Sequence, residues 1–133
     1  MLIYGIIGAV TLVVILGLYQ LYVALIQKKN NVKEAMGGVD VQLNKRYDLI
    51  PNILVIANKF MEHERGLMEE ITKLRSQAAG LRSNPETIGE KINLDNAIAT
   101  KMGQLMVNVE NYPQLKSDQT MIQAMQTYSE VEE

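Results

Sequence analysis

The sequence predicts an all-α protein in which a single N-terminal transmembrane helix precedes an antiparallel four-helix bundle. Three observations support this fold class. No charged side chain occurs before Lys28, apolar residues then recur at helical spacing over most of the chain, and strand-like alternation is almost absent. We therefore expect two domains, a transmembrane anchor at residues 1–27 and a helical bundle at residues 28–133.

The first predicted element is the transmembrane helix. Leu2 to Ile26 would be roughly 37 Å long as a helix, and the hydrocarbon core of a bilayer needs only about 30 Å. Tyr4 lies near one end, and Tyr19 and Tyr22 lie near the other, and tyrosine rings favour the membrane–water interface. The segment is therefore long enough to span a lipid bilayer and carries aromatic anchors at both ends.

A cleaved signal peptide is the main alternative for this segment. A signal peptide needs a basic region first, a shorter apolar core and a small-x-small cleavage site, whereas no Lys or Arg precedes this run. A retained anchor is therefore favoured. Lys28, Lys29 and Lys33 follow the run, which predicts that residues 28–133 lie in the cytoplasm and the N-terminus outside.

Composition narrows the classes of function. All thirteen basic and fifteen acidic side chains lie after residue 27, and the net charge is only −2, which disfavours nucleic acid as a principal partner. The chain has no cysteine, which excludes a disulfide framework, a thiol nucleophile and a cysteine-based metal site. The roughly 107 residues after the anchor suffice for one compact domain.

A long apolar stripe predicts the first part of the bundle. Its steps are three and four residues, as on the buried face of a helix. The stripe comprises Val32, Met36, Val39, Leu43, Tyr47, Ile50, Leu54, Ala57 and Met61, followed by Leu67, Ile71, Leu74, Ala78 and Leu81. Gly37-Gly38 weakens the helix there, by about 1 kcal/mol per exposed glycine relative to alanine.

Pro51 leaves two structures open within this stripe. The unbroken apolar phase is compatible with one kinked helix, whereas Asp48-Leu49-Ile50-Pro51-Asn52 also contains turn residues. We expect a break at Pro51, because one helix from Leu2 to Leu81 would be roughly 120 Å long.

Two more helices complete the predicted bundle. Ser83 and Glu86 have capping-box spacing, and Asn111-Tyr112-Pro113 ends the helix that they begin. The expected inner face of this helix is Ile88, Ile92, Ile98, Met102, Leu105 and Val109. Ser117 is the expected N-cap of the last helix. The apolar stripe of that helix is Met121, Met125 and Tyr128, and no C-cap signal precedes Glu133, so we expect it to be cut short.

The most distinctive segment of the chain is residues 39–52, with the sequence VDVQLNKRYDLIPN, which we call the signature segment. Together with His63-Glu64, residues 71–78 and residues 110–117, in that order, it resembles the LemA family of bacterial membrane-anchored proteins. The resemblance covers essentially the whole chain, including the apolar N-terminal run. It implies a four-helix, up-and-down bundle at the bacterial inner membrane.

Two features depart from the pattern of that family. Members usually carry tryptophan in an Ala-Trp pair where this chain has Ala35-Met36, and they usually continue for some tens of residues past the position of Glu133. Without that extension, the fourth helix would cover its partners incompletely and leave an apolar groove.

His63 is the only histidine and the first candidate for chemistry. His63-Glu64 begins a zinc-protease motif, but Leu67 occupies the place of the second histidine. A divalent ion held by Glu62, Glu64 and their neighbours is an alternative, but we favour a polar contact within the bundle, with Glu64 capping a neighbouring element. The sequence therefore predicts no metal and no cofactor.

The charged residues of the signature segment are the second candidate. Asp40 and Asp48 would lie about two turns apart on a similar helix face, and paired carboxylates can serve acid–base catalysis. Ion pairs and caps at a helix junction explain them without chemistry and are favoured, and a docking surface also stays open. The candidate interaction or helix-junction residues are Asp40, Gln42, Arg46, Tyr47, Asp48, Pro51, Asn52, His63 and Glu64.

Other catalytic arrangements are poorly supported. Ser117, Thr120 and Ser129 have no histidine within local reach, and Gly37-Gly38 lacks the Lys-Ser/Thr of a phosphate-binding loop. The favoured hypothesis is a non-enzymatic membrane scaffold that forms homo-oligomers or organises a membrane partner. The alternatives are an adaptor for a membrane protease or envelope-stress system and, less favoured, a metal-dependent enzyme that uses His63.

Overall fold

The structure, a computed structural model, describes residues 1–132, with side chains as far as Val131. Its helices are α1 (Leu2–Asn58), α2 (Arg65–Gly80), α3 (Ile88–Val109), α4 (Pro113–Lys116) and α5 (Gln119–Glu132), with a 3-10 turn at Glu62–Glu64. No strand occurs in this part of the chain. The predicted all-α fold is therefore confirmed, with the one-turn helix α4 added before the last helix.

The chain divides into two compact units, Met1–Met36 and Gly37–Glu133. Helix α1 has residues in both units. The predicted domain boundary between residues 27 and 28 follows the end of the apolar run and stays a prediction.

In the first unit, α1 is long and apolar enough to cross a membrane, and no part of its most apolar window is buried by protein. Large apolar side chains are mostly exposed, among them Ile3 at 71% and Leu25 at 68% of their possible exposure. An exposed apolar surface of this length is unfavourable in water and favourable in lipid. By its length and composition, the helix fits the predicted membrane anchor.

In the second unit, one apolar core lies between α1, α2, α3 and α5. Leucine, isoleucine and methionine dominate it, and two tyrosines are its largest side chains. The buried apolar residues are Leu43, Tyr47, Ile50, Ile53, Ala57, Met61, Met68, Ile71, Ala78, Ile98, Met102, Leu105, Val109, Leu115, Met121 and Tyr128. The helical phase that the sequence predicts holds in α1 from Leu43 to Ala57 and in α5. Val32 and Val39 of the predicted stripe are exposed, and Ile53, outside it, is buried.

The predicted break at Pro51 is wrong, because α1 continues through this residue and ends at Asn58. The chain turns afterwards, where the N–H groups of Phe60 and Met61 both donate to the carbonyl of Ala57. The apolar phase is the same before and after Pro51, so a continuous helix keeps Tyr47 and Ile50 in the core together with the residues that follow. Burial of one stripe therefore outweighs the loss of one backbone donor.

Contacts between α2 and α3 show that these helices are antiparallel. Glu64, just before α2, accepts a 2.9 Å hydrogen bond from Asn108 near the end of α3. One and a half turns along α2, Glu70 pairs at 2.6 Å with Lys101, which lies earlier in α3. These two helices therefore have the antiparallel arrangement of an up-and-down bundle.

The turn that leads into α3 is held together differently from the prediction. The side-chain oxygen of Asn84 accepts hydrogen bonds from the N–H groups of Glu86, at 3.0 Å, and Thr87, at 2.9 Å. The hydroxyl of Ser83 instead donates to the carboxylate of Asp40 on α1. The predicted capping box of Ser83 and Glu86 is therefore wrong, because a charged partner on another helix takes the serine hydroxyl.

The N-cap of α5 is also one residue later than predicted. Asp118 Oδ1 accepts a 2.9 Å hydrogen bond from the N–H of Met121. The hydroxyl of Ser117 donates backwards, to the carbonyl of Pro113 at 2.9 Å. The Pro113 carbonyl also accepts the N–H of Ser117 at 3.2 Å, so Ser117 caps the end of α4, and the carboxylate that follows it caps α5.

Candidate functional site

The signature segment, residues 39–52, lies within α1 and divides into two faces. Its inner face is buried and includes the charged side chain of Arg46 beside Tyr47. Its outer face is exposed and includes Gln42, Asp48 and Asn52. A single helical segment therefore contributes both to the core and to the surface.

An ion pair joins the inner face of α1 to α3. Arg46 Nη1 lies 2.6 Å from Asp95 Oδ2, and the two side chains are only 10% and 11% exposed. The guanidinium carbon of Arg46 also lies 5.6 Å from the ring centre of Tyr128 on α5, within cation–π range. Arg46 thus links three helices from a position that solvent hardly reaches.

A second ion pair lies about two turns earlier in α1. The ammonium of Lys91, on a side chain only 2% exposed, donates to the carboxylate of Asp40, which is 32% exposed. The hydroxyl of Ser83 donates to the same carboxylate oxygen. Lys91 foremost, and then Ser83, hold the pKa of the Asp40 carboxyl below its ordinary value, so Asp40 is a carboxylate at neutral pH.

The two ion pairs have opposite polarity. Helix α1 contributes the acid Asp40 and then the base Arg46, whereas α3 contributes the base Lys91 and then the acid Asp95. The partners advance in the same direction along both helices, so α1 and α3 are parallel. Their register is fixed by charge as well as by packing, because a shift along the axis would separate both pairs.

Tyr47 lies between these ion pairs in the core. Its residue exposure is 1%, and the ammonium of Lys91 lies 6.0 Å from the centre of its ring. Burial raises the pKa of the Tyr47 hydroxyl above its ordinary value, and the nearby carboxylate of Asp95 adds to the rise. Tyr47 therefore stays protonated at every physiological pH and is a poor candidate for a general base.

The backbone of Tyr47 receives a donor from α2. Pro51 has no N–H, so the Tyr47 carbonyl lacks the hydrogen bond that residue 51 would normally donate to it. Arg75 Nε donates a 2.5 Å hydrogen bond to this carbonyl. The proline of the signature segment is thus accommodated by an arginine from the neighbouring helix.

The outer face of the signature segment has few internal partners. The carboxylate of Asp48 is 82% exposed and lies 3.9 Å from Arg75, at the limit of an ion pair. Gln42 and Asn52 are exposed. These side chains are available to solvent or to another molecule.

A groove with a volume of about 470 Å³ runs beside this face, between α1 and α5. Its lining is uncharged, half apolar and half amide or hydroxyl. The lining residues are Leu49, Asn52, Val55, Ile56, Thr120, Gln123, Ala124 and Thr127. The sequence predicts an apolar groove at the fourth helix, and the exposed surface of the observed groove is mainly apolar.

His63 and Glu64 lie together in the 3-10 turn but differ in surroundings. Glu64 accepts the 2.9 Å hydrogen bond from Asn108, which is the polar contact to a neighbouring helix that the sequence predicts for it. His63 is exposed. Among residues 1–132, no three His, Asp or Glu side chains are grouped closely enough to hold a metal ion.

The sequence alone did not identify the residues on α2 and α3 that pair with the signature segment. Lys91 and Asp95 are buried, whereas Ile92, which was expected on the inner face of α3, is 44% exposed. The sequence carried a signal for this. Residues 88, 91, 95, 98, 102, 105 and 109 follow a strict three-and-four spacing that passes through Lys91 and Asp95 and skips Ile92.

The geometry favours stabilisation over catalysis at this site. A catalytic acid or base must come within hydrogen-bond reach of its substrate. Here Asp40 is held ionised by Lys91, and Arg46 and Asp95 hold each other in a nearly dry core. The signature charges therefore connect helices, and its exposed polar residues face outwards.

The family model of the LemA family matches residues 35–133. The match begins just before the signature segment and extends over α2, α3, α4 and α5. No curated protein matches the chain, and no solved structure does. The chain therefore belongs to the LemA family, which confirms the resemblance of its sequence.

Proposed function

Since the first unit of this LemA family member is an apolar helix whose most apolar window is not buried within the chain, we propose that the protein is a membrane-anchored, non-enzymatic scaffold. In this proposal, a bacterial inner membrane holds the first unit, and the helical bundle assembles with further copies of the chain or organises another membrane protein. The main support is the exposed apolar surface of α1 in the first unit. No part of the most apolar window of this helix is buried within the chain.

The chemistry of the bundle supports a scaffold rather than an enzyme. The buried charges of the signature segment are committed to ion pairs at 2.6 Å for Arg46–Asp95 and within direct contact for Asp40–Lys91. Groups paired in this way hold helices in register. The exposed outer face, with Gln42, Asp48 and Asn52, is then the surface through which the bundle meets its partners.

Self-assembly is tested by the particle mass of the full chain in nanodiscs and in a mild detergent. We expect particles of more than one chain, and expect Asn52→Arg to reduce their mass because it adds bulk and charge to the outer face of α1. Asn96→Arg is the matched control, since Asn96 is exposed on α3. Particles that are monomeric at the concentration found in cells would contradict self-assembly.

We also propose that the bundle lies in the cytoplasm, because Lys28, Lys29 and Lys33 follow the apolar run. The chain has no cysteine, so one introduced thiol reports its own position without background. Glu90→Cys, at an exposed position on α3, should react with an impermeant maleimide only after the cells are broken. Labelling of intact cells would place the bundle outside.

An adaptor for a membrane protease or an envelope-stress system is the second candidate. The open groove of about 470 Å³ beside Asn52 favours it, because a groove between two helices can seat a helix or extended segment of a different protein. Crosslinking from a photoreactive residue at position 52 separates the candidates. Crosslinks only between copies of the chain favour the self-assembling scaffold, and a reproducible heterologous membrane partner favours the adaptor.

A further inference from the structure

Positive charge is concentrated at one place in the chain. Lys28, Lys29 and Lys33 occur within six residues, with no acidic side chain before Glu34. Residues 34–133 carry the other ten basic side chains and all fifteen acidic ones, a net charge of −5. An anionic membrane surface would therefore repel the bundle and attract this short segment.

Two of these lysines share a face of α1 with an interfacial tyrosine. Lys29 follows Tyr22 by seven residues, which is about two helical turns, and Lys33 follows Lys29 by four, which is about one more. Lys28 lies on a different face. Tyr22 is 63% exposed, and both lysines are exposed within the first unit. Met36 continues this face, and the next acidic side chain on it, Asp40, is paired with Lys91.

The tilt of helical side chains brings the ammonium group of Lys29 closer to Tyr22. In a helix, side chains tilt towards the N-terminus, so Lys29 and Lys33 extend back towards the level of Tyr22. Tyrosine rings sit at the headgroup level of a bilayer. Lys29 and Lys33 lie about one turn, or roughly 6 Å, apart on one stripe, so their two ammonium groups can approach one phosphodiester anion, and each offers three N–H donors.

We propose that Lys29 and Lys33 form a binding site for the phosphate headgroup of an anionic phospholipid. The proposal rests on the membrane anchoring proposed above and adds a lipid partner to it. The site holds the headgroup by direct ion pairs on one helix face, and Tyr22 packs against the glycerol region below.

The test uses the full chain in nanodiscs of phosphatidylcholine and phosphatidylglycerol. Native mass spectrometry after release measures the ratio of phosphatidylglycerol to phosphatidylcholine retained on the protein. We expect Lys29→Gln/Lys33→Gln to bind phosphatidylglycerol about 30-fold more weakly, the effect of two lysines near a membrane surface. Lys29→Arg/Lys33→Arg should retain the preference, because it keeps both charges.

The charge-matched control is Lys28→Gln/Lys59→Gln, which removes one lysine from another face of the anchor and one exposed lysine from the bundle. This variant should weaken the preference for phosphatidylglycerol by at most about fivefold, the general attraction that Lys28 alone supplies near the surface. Equal losses in both double variants would show general attraction by net charge and overturn the site, as would an unchanged ratio in Lys29→Gln/Lys33→Gln.

Failure of the membrane anchor can be distinguished from failure of the lipid site alone. If the unmodified chain is extracted from membranes by alkaline carbonate, the anchor proposal fails and the lipid site fails with it. A chain that resists extraction but retains both lipids equally keeps its anchor and overturns the lipid site alone.

Discussion

Arg75 Nε donates a 2.5 Å hydrogen bond to the carbonyl oxygen of Tyr47, the residue four positions before Pro51. Because proline has no N–H, this oxygen is the one that a proline inside a helix leaves without its usual donor. The side chain of Arg75 is 29% exposed, so the bond lies mostly out of water. Helix α2 therefore supplies the hydrogen-bond donor that Pro51 removes from α1, and α1 continues through the proline.

Removal of this donor should destabilise the bundle. Arg75→Met keeps most of the side-chain volume and leaves the Tyr47 carbonyl unsatisfied, which we expect to lower the free energy of unfolding by about 1–3 kcal/mol. Chemical denaturation of the full chain in a mild detergent, followed by circular dichroism, measures the change. Arg82→Met, at an exposed position, is the control and should have little effect.

The cost of Arg75→Met should also depend on residue 51. Pro51→Ala restores a backbone N–H that can donate to the Tyr47 carbonyl, so the arginine becomes less important in that background. A double-mutant cycle should give a coupling free energy of about 1 kcal/mol. Additive effects of the two substitutions would contradict the repair of α1 by Arg75.

Loss of one partner of the buried ion pair should be more costly. Arg46→Met leaves the carboxylate of Asp95 in the core without its arginine, which we expect to lower the free energy of unfolding by about 3–5 kcal/mol. Arg46→Met/Asp95→Leu removes both charges and should recover most of this loss. A double variant no more stable than Arg46→Met would mean that the pair itself, and not the isolated charge, determines stability.

The bundle should lose stability in acid through Asp40. The Lys91 ammonium, and then the Ser83 hydroxyl, lower the pKa of the Asp40 carboxyl from its ordinary value of 3.8 in the folded state. As the pH falls, the unfolded chain therefore takes up this proton before the folded chain does. The contribution is complete above the unfolded pKa and is lost as the pH falls through the folded one.

Asp40→Asn should remove this part of the acid dependence. We expect the free energy of unfolding of the variant to be lower at neutral pH, because Lys91 loses its buried counter-charge, and to fall less steeply below about pH 4. Asp48→Asn is the control, since its carboxylate is 82% exposed. The same acid dependence in the wild type and in Asp40→Asn would show that Asp40 does not cause this loss of stability in acid.

Substitutions at Ser117 and Asp118 test which of the two residues is the N-cap of α5. Asp118→Ala should cost about 1 kcal/mol of stability, because it removes the acceptor for the N–H of Met121. Ser117→Ala should cost less, since the serine hydroxyl bonds backwards to α4. A larger loss at Ser117 than at Asp118 in thermal unfolding would restore the N-cap that the sequence predicts.

The helical phase of the bundle was predictable because it repeats over many residues. The stripe through Leu43, Tyr47 and Ile50 is a pattern of local spacing, and burial of one face follows from it. The break at Pro51 was not predictable in the same way. Its outcome depends on Arg75, which reaches the Tyr47 carbonyl only after α1 and α2 have packed.

The polar partners of the signature segment could not be predicted either, because they also depend on how the helices pack. Asp40 and Arg46 stand out in the sequence, but their partners Lys91 and Asp95 lie 51 and 49 residues away. The spacing of α3 contains both partners, yet a charged residue on an apolar stripe is assigned to the surface by default. Only the matching charge on α1 makes its burial favourable.

The opposite polarity of the two ion pairs has a consequence for exchange between copies. The pairs determine which helices meet and in which direction, but an α1 helix from another copy would present the same acid and base, in the same order, to α3. Helix exchange would therefore cost no ion pair.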